Sequence, residues 1–186
     1  MSEVPEGVDL SGFVRKPPRP TATMTLSRDG PKGPEVLLGL RSETMAAFPG
    51  YWAFTGGGVS RVDTAAVESF SVLDVEHGKF IACILRETCE ELGIAPNGDH
   101  VITIDENARF DVIKDKANWL PHAEDCNIPV NTDNINILGH RITPPFGPVQ
   151  FDNAFIHFHC GDWQSVPEID LEPQTEFDDI MWARPQ

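Results

Sequence analysis

Glu87, Glu90 and Glu91 are the residues of this chain best placed to do chemistry, standing in the run Arg86-Glu87-Thr88-Cys89-Glu90-Glu91-Leu92-Gly93-Ile94. On a helix, residues three and four apart share a face, so the three carboxylates converge. Like charges so placed repel, weakening an isolated helix by about 0.2–0.5 kcal/mol per pair unless a cation sits among the oxygens. Hard oxygen donors in that arrangement suit Mg2+ or Mn2+. Taken alone, the run also fits a solvated face, because glutamate is a good helix former. The surrounding sequence decides between the two readings.

The elements that must position these acids are visible around them. Ile81, Leu85, Thr88 and Leu92 recur at helical spacing and are offset from the carboxylates, so one face packs inward while the other presents oxygen atoms. Gly93 fits the position just past a helix end, where a left-handed backbone stops the helix, and Ile94 is the apolar residue that folds back. Upstream, Ala22, Met24 and Leu26 alternate with Thr21, Thr23, Thr25 and Ser27, the period of a half-buried strand. A turn-rich stretch at 29–34 leads to a short apolar run at 36–40 that fits a buried strand pairing back on the first. A third strand is expected at 51–54, closed by Gly56-Gly57-Gly58. Residues 59–78 lack a clean period and read as a loop with some helix. Later strands are expected at 101–104, 135–142 and 151–159, and 106–134 reads as an irregular excursion with one short helix.

A chain of 186 residues with 40% hydrophobic content allows one well-cored domain, here 21–186, after an extended arm at 1–20 that carries Pro5, Pro17, Pro18 and Pro20. The formal net charge of -15 argues against nucleic-acid backbones and anionic membranes as partners, since both need a basic footprint. Cys83, Cys89, Cys126 and Cys160 show no CxxC spacing, and no secretory leader is evident, so reduced thiols in a cytoplasm are the expectation. No apolar run is long enough for a membrane span.

Strand, glycine triplet, loop and acidic helix in this order resemble the Nudix hydrolases, whose signature is G-x5-E-x7-R-E-U-x-E-E-x-G-U with U an aliphatic residue. Arg86, Glu87, Glu90, Glu91, Gly93 and Ile94 match, and Thr88 stands at an aliphatic position. Arg86 follows Gly57 by 29 positions where the motif has 14, which leaves 15 extra residues, an insertion at about 59–78. Asp63 falls at the motif's first glutamate if the extra residues follow it. The branch related to coenzyme A diphosphatases has an insertion there. Leu37-Leu38-Gly39-Leu40-Arg41-Ser42, Gly50 and Phe54-Thr55-Gly56-Gly57 keep the spacing of that branch's LLTxRSx3Rx3Gx3FPGG motif, with Gly39 for Thr, Ala46 for Arg and Thr55 for Pro.

The resemblance implies an α/β/α sandwich around a mixed β-sheet and metal-dependent hydrolysis of a diphosphate linkage, with Mg2+ or Mn2+ as cofactor. It implies metal ligands at Glu87, Glu90 and Glu91 with the carbonyl of Gly57, where the absence of a side chain lets backbone approach the site. The implied catalytic set is Glu87, Glu90, Arg86, which orients a carboxylate, and a distal acid for which Glu176, Glu172 and Glu168 are candidates. Arg41, Gly56, Gly57 and Gly58 are the expected substrate contacts. Coenzyme A or acyl-CoA is the first substrate reading. ADP-ribose or a dinucleotide, and a nucleotide-binding module without catalysis, are the alternatives, and retention of the three glutamates weighs for an enzyme. The expected partner is a small nucleotide-type molecule; the assembly state is open, with a homodimer among the options. His157 and His159 alternate on one strand beside Cys160, but without a second pair they read as incidental rather than as a zinc site.

Overall fold

The computed structural model describes residues 6–7, 17–69, 77–115, 119, 123, 125, 127–130, 132–144, 150–172 and 176–185. Residues 1–5 and 8–16 of the expected arm, 70–76 of the expected insertion, Cys126 with other parts of 106–134, and Pro145 lie outside the described residues. Among the described residues the elements are β1 (Arg19–Gly30), β2 (Gly33–Arg41), β3 (Trp52–Ala53), β4 (Thr55–Gly58), α1 (Arg61–Ser69) and α2 (Gly78–Leu92). They continue as β5 (Ile94–Asn97), β6 (His100–Thr103), α3 (Glu106–Lys114), β7 (Asn136–Ile142), β8 (Phe151–Asp162) and β9 (Phe177–Ala183).

β1 forms where the alternation predicts it and buries Ala22, Met24 and Leu26. It starts at Arg19, two residues inside the expected arm. One edge of β1 runs parallel to β8 from Arg19 to Asp29. The other edge is shared: Thr21–Met24 pair with β4, and Ser27–Gly30 turn back onto β2. β2 carries β3 and β9, and β8 carries β7, all antiparallel. The result is a seven-stranded mixed sheet, with β5 and β6 as a separate hairpin.

α2 lies on β1 and β4, while α1, α3 and β5 pack against it. Every residue from Phe80 to Leu92 is therefore buried. The face expected to present oxygen atoms is itself covered: Glu87, Glu90 and Glu91 are 9%, 5% and 4% exposed. The cover includes α1, built from the stretch expected to be mainly loop. Gly93 ends α2 as anticipated, with φ 62 and its N–H on the Cys89 carbonyl at 3.1 Å, and Ile94 is fully buried.

Besides β4, two strands were not anticipated. β5 is four residues long and contains Pro96, so it carries little strand signal, and β9 alternates weakly through Asp178 and Asp179. The glycine triplet follows β3 and, with Thr55, forms a strand of its own, β4. Gly56, at φ 153, lies so close to the Ala22 carbonyl that a Cβ would collide with it. The short helix expected in the excursion is α3, started by Asp105, whose carboxylate accepts from Asn107 N–H at 3.0 Å and Ala108 N–H at 3.3 Å. Cys83, Cys89 and Cys160 are buried, and none of the three is in a disulfide. No helix among the described residues is long and apolar enough to cross a membrane.

Candidate active site

The end of α2 is organised around Arg86. Its Nε donates to Asp63 Oδ1 at 2.9 Å and its Nη2 to Asp63 Oδ2 at 3.0 Å, a fork-to-fork pair between side chains 4% and 0% exposed. Nη1 donates to Glu90 Oε1 at 3.1 Å, and Nη2 lies 2.9 Å from Glu87 Oε1. Burial disfavours the Arg86 charge, but the Asp63 hydrogen bonds and the charges of Glu87, Asp63 and Glu90 outweigh it and hold the guanidinium protonated. Asp63 in turn accepts from the backbone N–H and hydroxyl of Ser60, each at 2.8 Å, which pins the start of α1. Arg86 thus holds Asp63, Glu87 and Glu90 together from within.

Glu91 has different surroundings. Its Oε2 accepts from the Gly56 N–H at 3.1 Å, whereas its Oε1 is buried with no hydrogen-bond partner. Burial, then the charges of Glu87 and Glu176, hold this carboxyl well above its ordinary 4.5; the Gly56 N–H and the Thr55 hydroxyl pull the other way. Glu87 Oε1 occupies the space a Cβ on Gly57 would fill, so the glycine is what lets this carboxylate reach β4. An orphaned buried oxygen among mutually repelling carboxylates, cradled by a side-chain-free strand, fits a hard divalent cation. Among the described residues, no three His, Cys, Asp or Glu side chains are already gathered in metal-holding geometry.

The other expected residues are placed as follows. The Gly57 carbonyl faces α2, where the Cys83 thiol donates to it at 3.8 Å. Burial and the charges of Asp63 and Glu87 push that thiol up, so it stays protonated. Gly58 is exposed at the end of β4. Two residues assigned separate roles are found together: Arg41 Nη2 donates to Glu176 Oε2 at 3.2 Å, and Arg41 Nε donates to the Ala47 carbonyl at 2.9 Å. Of the three candidates for a distal acid, Glu176 is the one whose charge bears on Glu91, while Glu168 and Glu172 are exposed residues.

Thr88 is fully buried with its hydroxyl unpartnered, so the aliphatic position carries a small internal penalty. Arg109 was not singled out by the sequence at all. It is 2% exposed, and its hydrogen bonds run to main-chain carbonyls of α2 and of 170–172. Partners of that kind leave no side-chain pattern to read. On the far face of the sheet, Ser27 Oγ lies 2.8 Å from His157 Nε2 and 3.0 Å from His159 Nδ1. One hydroxyl thus meets one nitrogen of each ring.

The arrangement has known structural counterparts. A Nudix hydrolase from Alicyclobacillus acidocaldarius is similar over 91% of this chain and 80% of its own, with a TM-score of 0.74 and 25% sequence identity. The Nudix domain of Shewanella oneidensis NrtR, solved in complex with ADP ribose, is similar over 97% of this chain and 83% of its own, with a TM-score of 0.50 and 14% identity, a likeness of fold alone. No family model and no curated protein matches the sequence. The mixed sheet with its three helices is the Nudix fold.

Proposed function

We propose that this chain, built on the Nudix fold, is a metal-dependent diphosphatase that splits the diphosphate linkage of a nucleoside diphosphate derivative, with coenzyme A or acyl-CoA as the leading substrate. The broad assignment to Nudix diphosphatases is supported by the likeness to the Alicyclobacillus acidocaldarius hydrolase. The observation that carries the metal dependence is Glu91, a buried carboxylate with one oxygen unpartnered and two like charges bearing on it. Mg2+ or Mn2+ held there would neutralise charge on the diphosphate oxygens and acidify the attacking water.

Glu91 and Glu87 are the ligands this reading places first, with the Gly57 carbonyl beside them. Glu90, gripped by Arg86 at 3.1 Å, stands behind them and serves to hold the helix face in order. Glu176 is the distal acid that takes the proton from water. Arg41 now holds its carboxylate, and a substrate phosphate would compete for the same guanidinium. The exposed backbone of Gly58, next to Gly56 and Gly57, leaves room for substrate along β4.

Coenzyme A is favoured by the preserved spacing from Leu37 to Gly57. ADP-ribose or a dinucleotide is the second reading, since the NrtR Nudix domain takes ADP ribose on the same fold. A module without catalysis is disfavoured because Glu87, Glu90 and Glu91 are all retained.

The deciding experiment incubates the protein and Mg2+ or Mn2+ with coenzyme A, acyl-CoA, ADP-ribose, dinucleotides and NTPs, read by mass spectrometry. Release of 3',5'-ADP and a phosphopantetheine from coenzyme A is expected. Cleavage confined to ADP-ribose or NTPs would exclude the coenzyme A reading, and no cleavage of any member would exclude the enzyme.

A further inference from the structure

The last turn of α2 carries Glu90 and Glu91 and no basic residue, although the negative end of a helix dipole favours a cation there. The cation comes from α3 instead. Arg109 Nε and Nη2 donate to the Glu90 carbonyl at 3.2 and 2.9 Å, and Nη2 also donates to the Glu91 carbonyl at 3.1 Å. On the other prong, Nη1 donates to the Asp170 carbonyl at 2.7 Å and to the Glu172 carbonyl. All three guanidinium nitrogens are committed, and every partner is a main-chain oxygen.

This is an unusual use of a buried charge. Burial works against the Arg109 charge and the charges of Asp170 and Glu172 counter that effect, but among the described residues no carboxylate is hydrogen-bonded to it; its direct hydrogen-bond partners are carbonyls from two distant segments. One segment carries the helix acids of the proposed site, and the other leads in sequence toward Glu176. α2 carries Glu87, Glu90 and Glu91, and Glu172 precedes Glu176 by four positions in the sequence. Gly93 completes the fit, since a Cβ there would press on the Arg109 guanidinium at 3.0 Å. Lysine offers no planar fork and could not serve both segments at once.

We propose that Arg109 is a positioning residue: by bracketing the carbonyl end of α2 and residues 170–172 it fixes the distal acid relative to the helix glutamates. The inference rests on the functional reading above for its catalytic consequence, but its mechanical part does not. Misplacement of one catalytic group by about 1 Å costs on the order of a hundredfold in rate. The loss belongs in kcat rather than KM, because Arg109 touches no surface open to substrate.

The test compares wild type, Arg109→Lys and Arg109→Gln by hydrogen exchange without substrate, by circular dichroism, and by kinetics on whichever diphosphate the panel identifies. Arg109→Lys keeps the charge and stays folded, so it remains informative if Arg109→Gln does not fold. Expected are faster exchange at 166–172 and a fall in kcat of about ten- to a hundredfold with KM within about twofold. Unchanged exchange at 166–172 in folded Arg109→Lys, or full kcat, would overturn the proposal. If the wild-type protein cleaves nothing, the functional reading fails on its own, and the exchange result still decides the linkage.

Discussion

Around Arg86, Asp63 and Glu90 are buried with their charge met by a guanidinium at 2.9 to 3.1 Å; one turn along α2, Glu91 is as deeply buried with two further carboxylates bearing on it. The same residue type on the same helix thus has two fates. The first set is neutralised inside the chain and holds α1 to α2. The second is left short of positive charge, which is the condition under which a site takes up a cation from outside. Glu87, 2.9 Å from Arg86 and with its charge bearing on Glu91, stands between the two sets, and burial does not tell them apart.

The sharpest way to break this contrast is Glu91→Gln, which should leave the domain folded by circular dichroism while lowering Mg2+-dependent turnover by about a thousandfold or more, since metal charge stabilisation contributes several kcal/mol. Full turnover in the folded variant would move Glu91 into the structural set. Asp63→Asn tests the other side. Breaking a buried pair leaves Arg86 uncompensated, so denaturant unfolding should show a loss of about 3–5 kcal/mol. A loss under about 1 kcal/mol would mean Asp63 is not holding α1 to α2.

A smaller effect lies in pH. The folded Glu91 carboxyl is raised above its ordinary 4.5, so between 4.5 and that raised value the folded state binds more protons than the unfolded state. Stability contributed by this group is fully present below 4.5 and declines as pH rises through the folded value. Metal-free wild type should therefore lose up to about 1.4 kcal/mol per pH unit in that window relative to Glu91→Gln. Parallel stability profiles for the two proteins would show that Glu91 carries no such strain.

Much of this site was legible because the signals were local. The alternation at Ala22, Met24 and Leu26, the spacing of Ile81, Leu85 and Leu92, and the stop at Gly93 each act within a few residues, and each fixed an element. The burial of the acidic face was not legible, because it depends on α1 docking through Asp63, 23 residues from Arg86. The pairing of Arg41 with Glu176, 135 residues apart, is of the same kind. Arg109 was hidden for a different reason: it recognises carbonyls, which every residue has. β5 and β9 went unseen because Pro96 and the paired aspartates at 178–179 dilute the strand pattern.

The parallel pairing of β1 with β8 bears on how the chain acquires its shape during synthesis. Thr21 Oγ1 donates to Asn153 Oδ1 at 2.9 Å across 132 residues, and the β1–β8 ladder runs between Arg19 and Asp162. A ribosome must therefore deliver most of the chain before the centre of the sheet can close. Contacts of such long sequence separation slow folding, and until they form the apolar side of α2 has only part of its bed. Nascent chains ending before β8 should consequently be chaperone clients, and the glutamate site should be among the last features to come together.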